Sequence, residues 1–518
     1  MKKIKTIIIC LLIFTLFGFT ACGEDVTTAE KYEITVACQA EDSEQEIVEI
    51  LAKAFEERHP EYKINVVGFA GDDFENYMIT LSQNIEQSPH IVWTHDTAHS
   101  RWNEFFTDLR PFYESSEDTD YSLYYETMLD TAGLNGSFKP TRNYTGSFRA
   151  NDLDDSDGLE SYENHSEYGI YYAPRDFNKP AIVCNTALFD ELDEEYESYM
   201  YKGAELPADY QSCTARLNQI VAGGVDANWS ELDDMFDFAK LIATRINYVI
   251  KATLEAGELK RNAYWKNKSA IDLKLNWEPT YVTILNAMGI TKMFNDDGSF
   301  CLDQESAKLE ELHDKLYAVD RICEASGDDT SFAAGYNFMR VVSRPVILGY
   351  KNTFTGTYGS ASLQSIQIPV KDIAAGCSGY AINNYYHDKS VSVNGVKKSY
   401  DEICWDFIKF IITEEGQQVA GSTGSNIPVL KTLYSTGTWR NAEGLEGMNH
   451  DAWVAGGELK QDWYDIFTSS TRSGFRGVFQ GFFTNFVKSD YGKTSLSALF
   501  DFYKKEFKVL DPTGSIRK

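Results

Sequence analysis

The strongest constraint in this chain is an alternation that begins at Tyr32. YEITVACQ is a short β-branched run, EQEIVEILAKAFEERH carries apolar residues at helical spacing, and YKINVVGF returns to a strand, so a β-α-β unit is expected. DDFENYMITLSQNIE then repeats the helical period and HIVWTHD the strand pattern. Such alternation builds an α/β fold with mostly parallel sheets and helices on their faces. Ligands of such sheets lie at strand carboxyl ends. With 518 residues the chain holds about two to four folded units, each large enough to bury a core without disulfides.

Before this alternation stand Lys2, Lys3 and Lys5, an apolar run from Ile7 to Phe19, and then Thr20-Ala21-Cys22. The run is too short to span a ~30 Å hydrocarbon core, so residues 1–21 read as a secretory signal. The boundary resembles a bacterial lipobox. That resemblance implies cleavage before Cys22, lipid on its sulfur, and a tether over residues 22–33. Phe19 replaces the usual Leu of that motif. No later stretch reaches the length of a membrane span, so contact with the membrane is expected through the lipid alone.

Charge narrows the partners. The chain carries 48 Lys plus Arg against 78 Asp plus Glu, a net charge of -30, and loss of the signal removes three more lysines. A field of that sign repels phosphate backbones, which argues against nucleic acid. Nine cysteines less Cys10 and Cys22 leave an odd, scattered set, so complete disulfide pairing is impossible. Cys38 and Cys184 sit in apolar β runs as small core hydrophobes. No CxxC occurs, which disfavours thiolate zinc.

Residues 111–168 break the alternation with turn formers and charge, and read as a surface insertion. Within it, NDLDDSDGLE fails the EF-hand pattern: with Gly158 in the glycine place, the first position falls on Leu153 and the twelfth on Asn164. From Tyr171 a Pro-interrupted crossing, a strand and a helix start follow, then helical stretches at LDDMFDFAKLIATRI and EPTYVTILNAMG. CSGYAINN restores a strand, and YDEICWDFIKFIITEEGQQVAG reads as one amphipathic helix ended by Gly421 and Gly424. The part from Trp439 on is aromatic-rich and expected to be helical.

Several separated stretches together resemble the extracellular sugar-binding lipoproteins of ABC transporters, of the maltose-binding-protein type. ITVACQAEDSEQEIVEILAKAFEERHPEYKINVV is similar to that family's opening, SPHIVWTHDTAHSRWNEFFTDLRPF to its third strand, and YYAPRDFNKPAIVCNTALFD to its crossing segment, with Asn185 at the family's Asn. FAAGYNFMRVVSRP, GCSGYAIN and WDFIKFIITEEGQQVAGSTGSNIPVLK match in the same order. The resemblance implies a two-lobed, hinged periplasmic-binding-protein-like α/β fold with mixed, mostly parallel sheets. Lobe 1 would comprise 34–180 and 376–425, lobe 2 181–375 and 426–518. It also implies a carbohydrate ligand, permease subunits as partners, a monomer, and a lipid-anchored position on the extracytoplasmic face of the membrane of a Gram-positive bacterium.

A sugar offers apolar C–H faces and a rim of hydroxyls, so its site needs aromatic platforms with polar neighbours. Trp93 and Asp96, in WTHD, match positions that contact sugar in this family. Gln39 and Glu41 follow the first strand at its carboxyl end. Asn178 falls at a ligand-binding carboxylate position of the family, and Arg175 beside it is a candidate hydroxyl donor, though an ion pair with Asp176 explains it equally well. Tyr350, Trp453, Trp463, Phe475 and Arg476 are candidates from the second lobe. With 31 Phe, 31 Tyr and 9 Trp in the chain, abundance alone cannot select the few at a cleft. A Trp often found in the family between Arg344 and Tyr350 is missing here.

Other chemistries find less support. His95 and His99 have i, i+4 spacing, but on a strand and loop without HExxH, so no metal and no cofactor is expected. GCSGY is one residue short of GxSxG, and Val487 replaces the upstream glycine that a Walker loop around Gly492–Thr494 requires. No catalytic residue is assigned. A surface glycan-binding or glycoside-hydrolysing lipoprotein remains the alternative, because the spacing of two carboxylates is not legible in sequence.

Overall fold

The computed structural model describes residues 26–40, 44–69, 74–95, 105–116, 119, 170–223, 227–291, 301–323, 329–459, 469–487 and 496–510. The signal, Cys22 and most of the 111–168 segment, with its acidic loop, lie outside them. Strand β1 (Val26–Ala29) leads into β2 (Tyr32–Gln39), the helix Glu44–Arg58, β3 (Tyr62–Phe69), the helix Phe74–Gln83 and β4 (Ile91–His95). The opening alternation is therefore present as expected. Helix Glu44–Arg58 buries Ile47, Val48, Leu51, Ala52 and Phe55, the stripe its periodicity marks out.

The chain next forms β5 (Ala173–Asn178) and, two residues later, β6 (Ala181–Asn185), which opens a second sheet with β7 (Ser269–Asp272), β8 (Asn337–Val342) and β9 (Leu363–Ile366). β10 (Asp372–Ala374) leads back into β11 (Gly376–Ile382) of the first sheet. β12 (Ser390–Val393), β13 (Val396–Ser399), β14 (Ile427–Pro428) and β15 (Gly457–Leu459) complete the strands. The large sheet runs β14-β5-β11-β4-β2-β3 and the smaller one β7-β8-β6-β9.

The large sheet is mixed, with β2, β3, β4 and β5 running one way and β11 and β14 the other. β2 pairs parallel with β3 and β4, whereas β11 is antiparallel to β4 and β5, and β14 is antiparallel to β5. The cause is connectivity: β5 leaves for the second sheet and β11 returns from it, so the two run in opposite directions. β11 slips register at Ser378/Gly379, where a Cβ on Gly379 would stand 2.0 Å from the carbonyl oxygen of Ala173. Gly379→Ala is expected to cost at least about 1–3 kcal/mol by overpacking, read as a lowered urea midpoint; an unchanged midpoint would show that the strands can separate there.

The predicted single helix after Tyr400 is two, Tyr400–Ile412 and Glu414–Gly421, divided at Thr413 with extended backbone (φ -82°, ψ 168°). Ser399 and Glu402 form a capping box at the first. Gly416 accepts the tight reversal, since a Cβ there would meet the Phe410 carbonyl oxygen at 2.0 Å.

Two apolar clusters fill the described part of the molecule. One joins Ile34, Val36, Phe55, Val92 and Phe407, and extends to Val183, Tyr350, Trp439 and Trp453. The other joins Phe189, Ile242, Trp265, Tyr281, Phe338, Phe482 and Phe500. Residues Ile427 to Trp453 thus pack with the first cluster and Phe479 to Tyr503 with the second. Cys38 and Cys184 are fully buried, and the seven cysteines of the described residues are all unbridged. Among those residues, no helix is long and apolar enough to cross a membrane.

Candidate ligand-binding cleft

Strand direction decides which sheet edges face each other. β2, β3 and β4 are parallel and end at Gln39, Phe69 and His95; β5 ends at Asn178, opposite Gly376 at the start of β11. In the second sheet β7 and β8 are parallel and end at Asp272 and Val342, while β6 starts at Ala181, opposite Val342. The crossings at 178–181 and 374–376 therefore join these two edges, which makes the carboxyl ends of β2 to β5 and of β7 and β8 the candidate ligand-binding face. Lys179 braces the crossing, donating from Nζ to the carbonyl oxygens of Gly456 (3.1 Å) and Gly457 (2.9 Å), next to the β10–β15 pair.

On the first edge, Gln39 is half-buried and Trp93 is 7% exposed. The Trp93 ring lies 6.3 Å from that of Phe69, which stacks on Tyr77 at 4.6 Å. On the second edge, β7 ends in a turn that sequence reasoning missed. Lys274, at φ +48°, donates its backbone N–H to Asp272 Oδ1 (2.8 Å), and Trp277 N–H closes onto the Lys274 carbonyl (2.8 Å). Asp272 is in turn held by Arg340 in a buried ion pair. The turn leaves Lys274, Asn276 and Trp277 half-buried, with Lys274 Nζ 5.1 Å from the Trp277 ring centroid. An indole, an amide and an ammonium thus stand together at the carboxyl end of β7, on a turn tied to the Asp272–Arg340 ion pair. The available signal was the position of LKLNW directly after a short apolar run.

Other predicted residues are placed in the packing. Arg175 is 1% exposed and donates to Glu44 Oε1 and Oε2 (2.5 and 2.7 Å), to Asp176, and to Tyr380 Oη (2.6 Å). Burial disfavours its charge, but Glu44, Tyr380 and Asp176 outweigh that and hold it protonated. Asp176 also accepts from Ser378 N–H (3.1 Å) and Asn426 Nδ2 (3.3 Å). The guanidinium is engaged by protein, so Arg175 is a structural tie rather than a hydroxyl donor. Tyr350 is 3% exposed with its ring 5.0 Å from Phe332, and Trp453 is fully buried, donating from Nε1 to Ser365 Oγ (3.1 Å). Neither offers a platform face. Glu41, Asp96, Trp463 and Cys22 lie outside the described residues, as does His99. Asn178 ends β5, and Phe475 and Arg476 lie on the helix Ser469–Val487, with only their backbones described.

After β8, Arg344 is fully buried without a carboxylate among its hydrogen-bond partners in the described residues. It donates to the Gly424 carbonyl (2.5 Å), to the Trp439 carbonyl (3.2 Å) and to His450 Nδ1 (3.2 Å), and its guanidinium lies 5.2 and 5.3 Å from the Trp439 and Trp453 rings. Burial first, and Arg344 next, push His450 down to about 4. A histidine depressed in the folded state supplies stability above its unfolded pKa of about 6.5, and that stability is lost as pH falls toward the folded value. Lowering the pH from 7 to about 5 should therefore cost roughly 2 kcal/mol through His450. Urea titrations at both pH values check this, and His450→Gln should remove that part of the slope.

No family model matches the chain. Its fold is that of the two-lobed sugar-binding proteins of the maltose-binding-protein type. The GacH receptor of Streptomyces glaucescens, solved unliganded and with acarbose, superposes with a TM-score of 0.58 at 13% identity, covering 93% of this chain and 99% of that one. Maltose-bound MalE3 of T. maritima gives 0.57 at 11% identity over 92% and 100%, and a Thermotoga lettingae solute-binding protein with α-D-tagatose gives 0.55 at 12% over 93% and 100%. Among curated proteins, the melibiose/raffinose/stachyose-binding protein MelE of Bacillus subtilis is 28% identical over 123 residues. That match spans 24% of this chain and 28% of MelE, about a quarter of each.

Proposed function

We propose that this protein is the substrate-binding component of a carbohydrate ABC importer, held outside the cell by lipid on Cys22 and passing its ligand unaltered to permease subunits. The supporting observation is the pair of facing edges. Half-buried Gln39 on one side and half-buried Trp277, Asn276 and Lys274 on the other combine an apolar ring face with hydrogen-bonding groups, the complement of a neutral sugar. Trp93, 7% exposed, is the platform proposed for the first edge once the lobes part. Asp96 and Asn178, which adjoin this edge in sequence, complete the proposed ligand set. The relatives add weight, since their names carry acarbose, maltose, tagatose, and melibiose, raffinose and stachyose. Lobe 1 is read as 34–180 with 376–425, and lobe 2 as 181–375 with 426–518, with the stretch Ile427 to Trp453 packed against the first cluster.

The mechanism is closure. Contacts from both edges form together only when the lobes embrace the ligand, so binding shifts the open-to-closed population. No covalent step is assigned. A calorimetric panel of raffinose, stachyose, maltotriose and tagatose tests the reading. Saturable binding of at least one sugar, recovered intact, is expected; failure of every sugar, or release of cleaved product, would overturn it.

A further inference from the structure

The chain upstream of the first sheet is not all free tether. β1 (Val26–Ala29) pairs parallel with β12, Val26 opposite Ser390 through Ala29 opposite Val393, and β12 turns at Asn394-Gly395, both at positive φ, into antiparallel β13. The hairpin is fixed to the body: Val391 and Val393 are 2% exposed, Tyr32 Oη donates to the Val396 carbonyl (2.9 Å), and Tyr400 N–H to that of Lys389 (3.1 Å).

This small sheet lies at the edge opposite the cleft. β2 starts there at Tyr32, and β11 ends there at Ile382 opposite Ile91, the start of β4. The eight residues of β2 separate that base from the cleft edge by about 26 Å. From Cys22 to Val26 the chain reaches at most about 14 Å, whereas from Cys22 to Tyr32, with β1 released, it reaches about 35 Å.

We propose that β1 is a docked section of the tether that stands lobe 1 on its base, with the bilayer surface as the partner of the face around the β12–β13 hairpin and the cleft turned outward. The proposal rests on lipid attachment at Cys22. Its basis is the comparison of lengths: ~14 Å is shorter than the ~26 Å from base to cleft edge, so the cleft edge of lobe 1 cannot face the bilayer while β1 is docked. Release of this four-residue edge strand lengthens the tether past that distance. β1 is thus a strap whose undocking frees the body to turn.

The test uses the full lipidated chain in phosphatidylcholine and phosphatidylglycerol vesicles carrying a headgroup quencher. A fluorophore is placed either at Val396→Cys, a 57% exposed position on the hairpin, or at Lys371→Cys, whose side chain is 92% exposed just before the crossing. The Val396 label should lose most of its fluorescence and the Lys371 label little. Replacing both Thr27 and Thr28 by proline, which removes the pairing N–H at either position, should erase that difference. Equal quenching of the two labels in the unmodified lipidated chain, or no effect of the prolines, would overturn the proposal. Loss of vesicle binding in Cys22→Ser upholds lipid attachment at Cys22 whichever way the labels read; a Cys22→Ser chain that still floats with the vesicles overturns the anchor and the proposal together.

Discussion

Arg175→Met should be the most destabilising single change in the described part of lobe 1, by about 3–5 kcal/mol. The reason is what it leaves behind. Glu44 and Asp176 are 5% and 2% exposed, and without the guanidinium both carboxylates remain buried with no cation against them. The same side chain ties β5 to the first helix through Glu44 and to β11 through Tyr380, so its loss loosens three elements at once. The urea midpoint should fall sharply, while the affinity of the remaining folded protein for the proposed sugar ligand stays within a few fold. A variant that keeps its midpoint and loses binding would return Arg175 to the cleft.

Trp277→Ala should weaken sugar binding by about tenfold to a hundredfold, equivalent to ~1.4–2.8 kcal/mol. The indole is half-buried on a turn made rigid by Asp272 and Arg340, so it meets a ligand without first paying an ordering cost. Trp277→Phe should recover most of the loss, because a platform needs a flat apolar face more than an N–H. Trp93→Ala belongs in the same titration as the platform on the opposite edge. Unchanged affinity in both alanine variants would remove the two tryptophans from the site and leave the fold as described.

These two residues also mark what sequence conveyed and what it did not. The helices and strands from Tyr32 to His95 were legible because each buries one periodic face, and the periods 2 and 3.6 are visible locally. The direction in which β5 and β11 join the sheet was not, since pairing depends on where the chain returns after almost 200 residues in the other lobe. Arg175 shows the same limit. Its neighbour Asp176 was in view, but Glu44, 131 positions away, was not, and it is Glu44 that completes the pair. Trp277 was hidden differently: β7 is only four residues long, too short for alternation to register, so the turn at its carboxyl end went unmarked. The division at Thr413 escaped because an amphipathic stripe continues across it.

The central claim is closure of two lobes on an unaltered sugar, and small-angle X-ray scattering with and without the best-binding oligosaccharide tests it most directly. Saturating ligand should reduce the radius of gyration, and the sugar recovered afterwards should be chemically the one added. A radius that does not change at saturation, or a sugar recovered in pieces, would contradict the account.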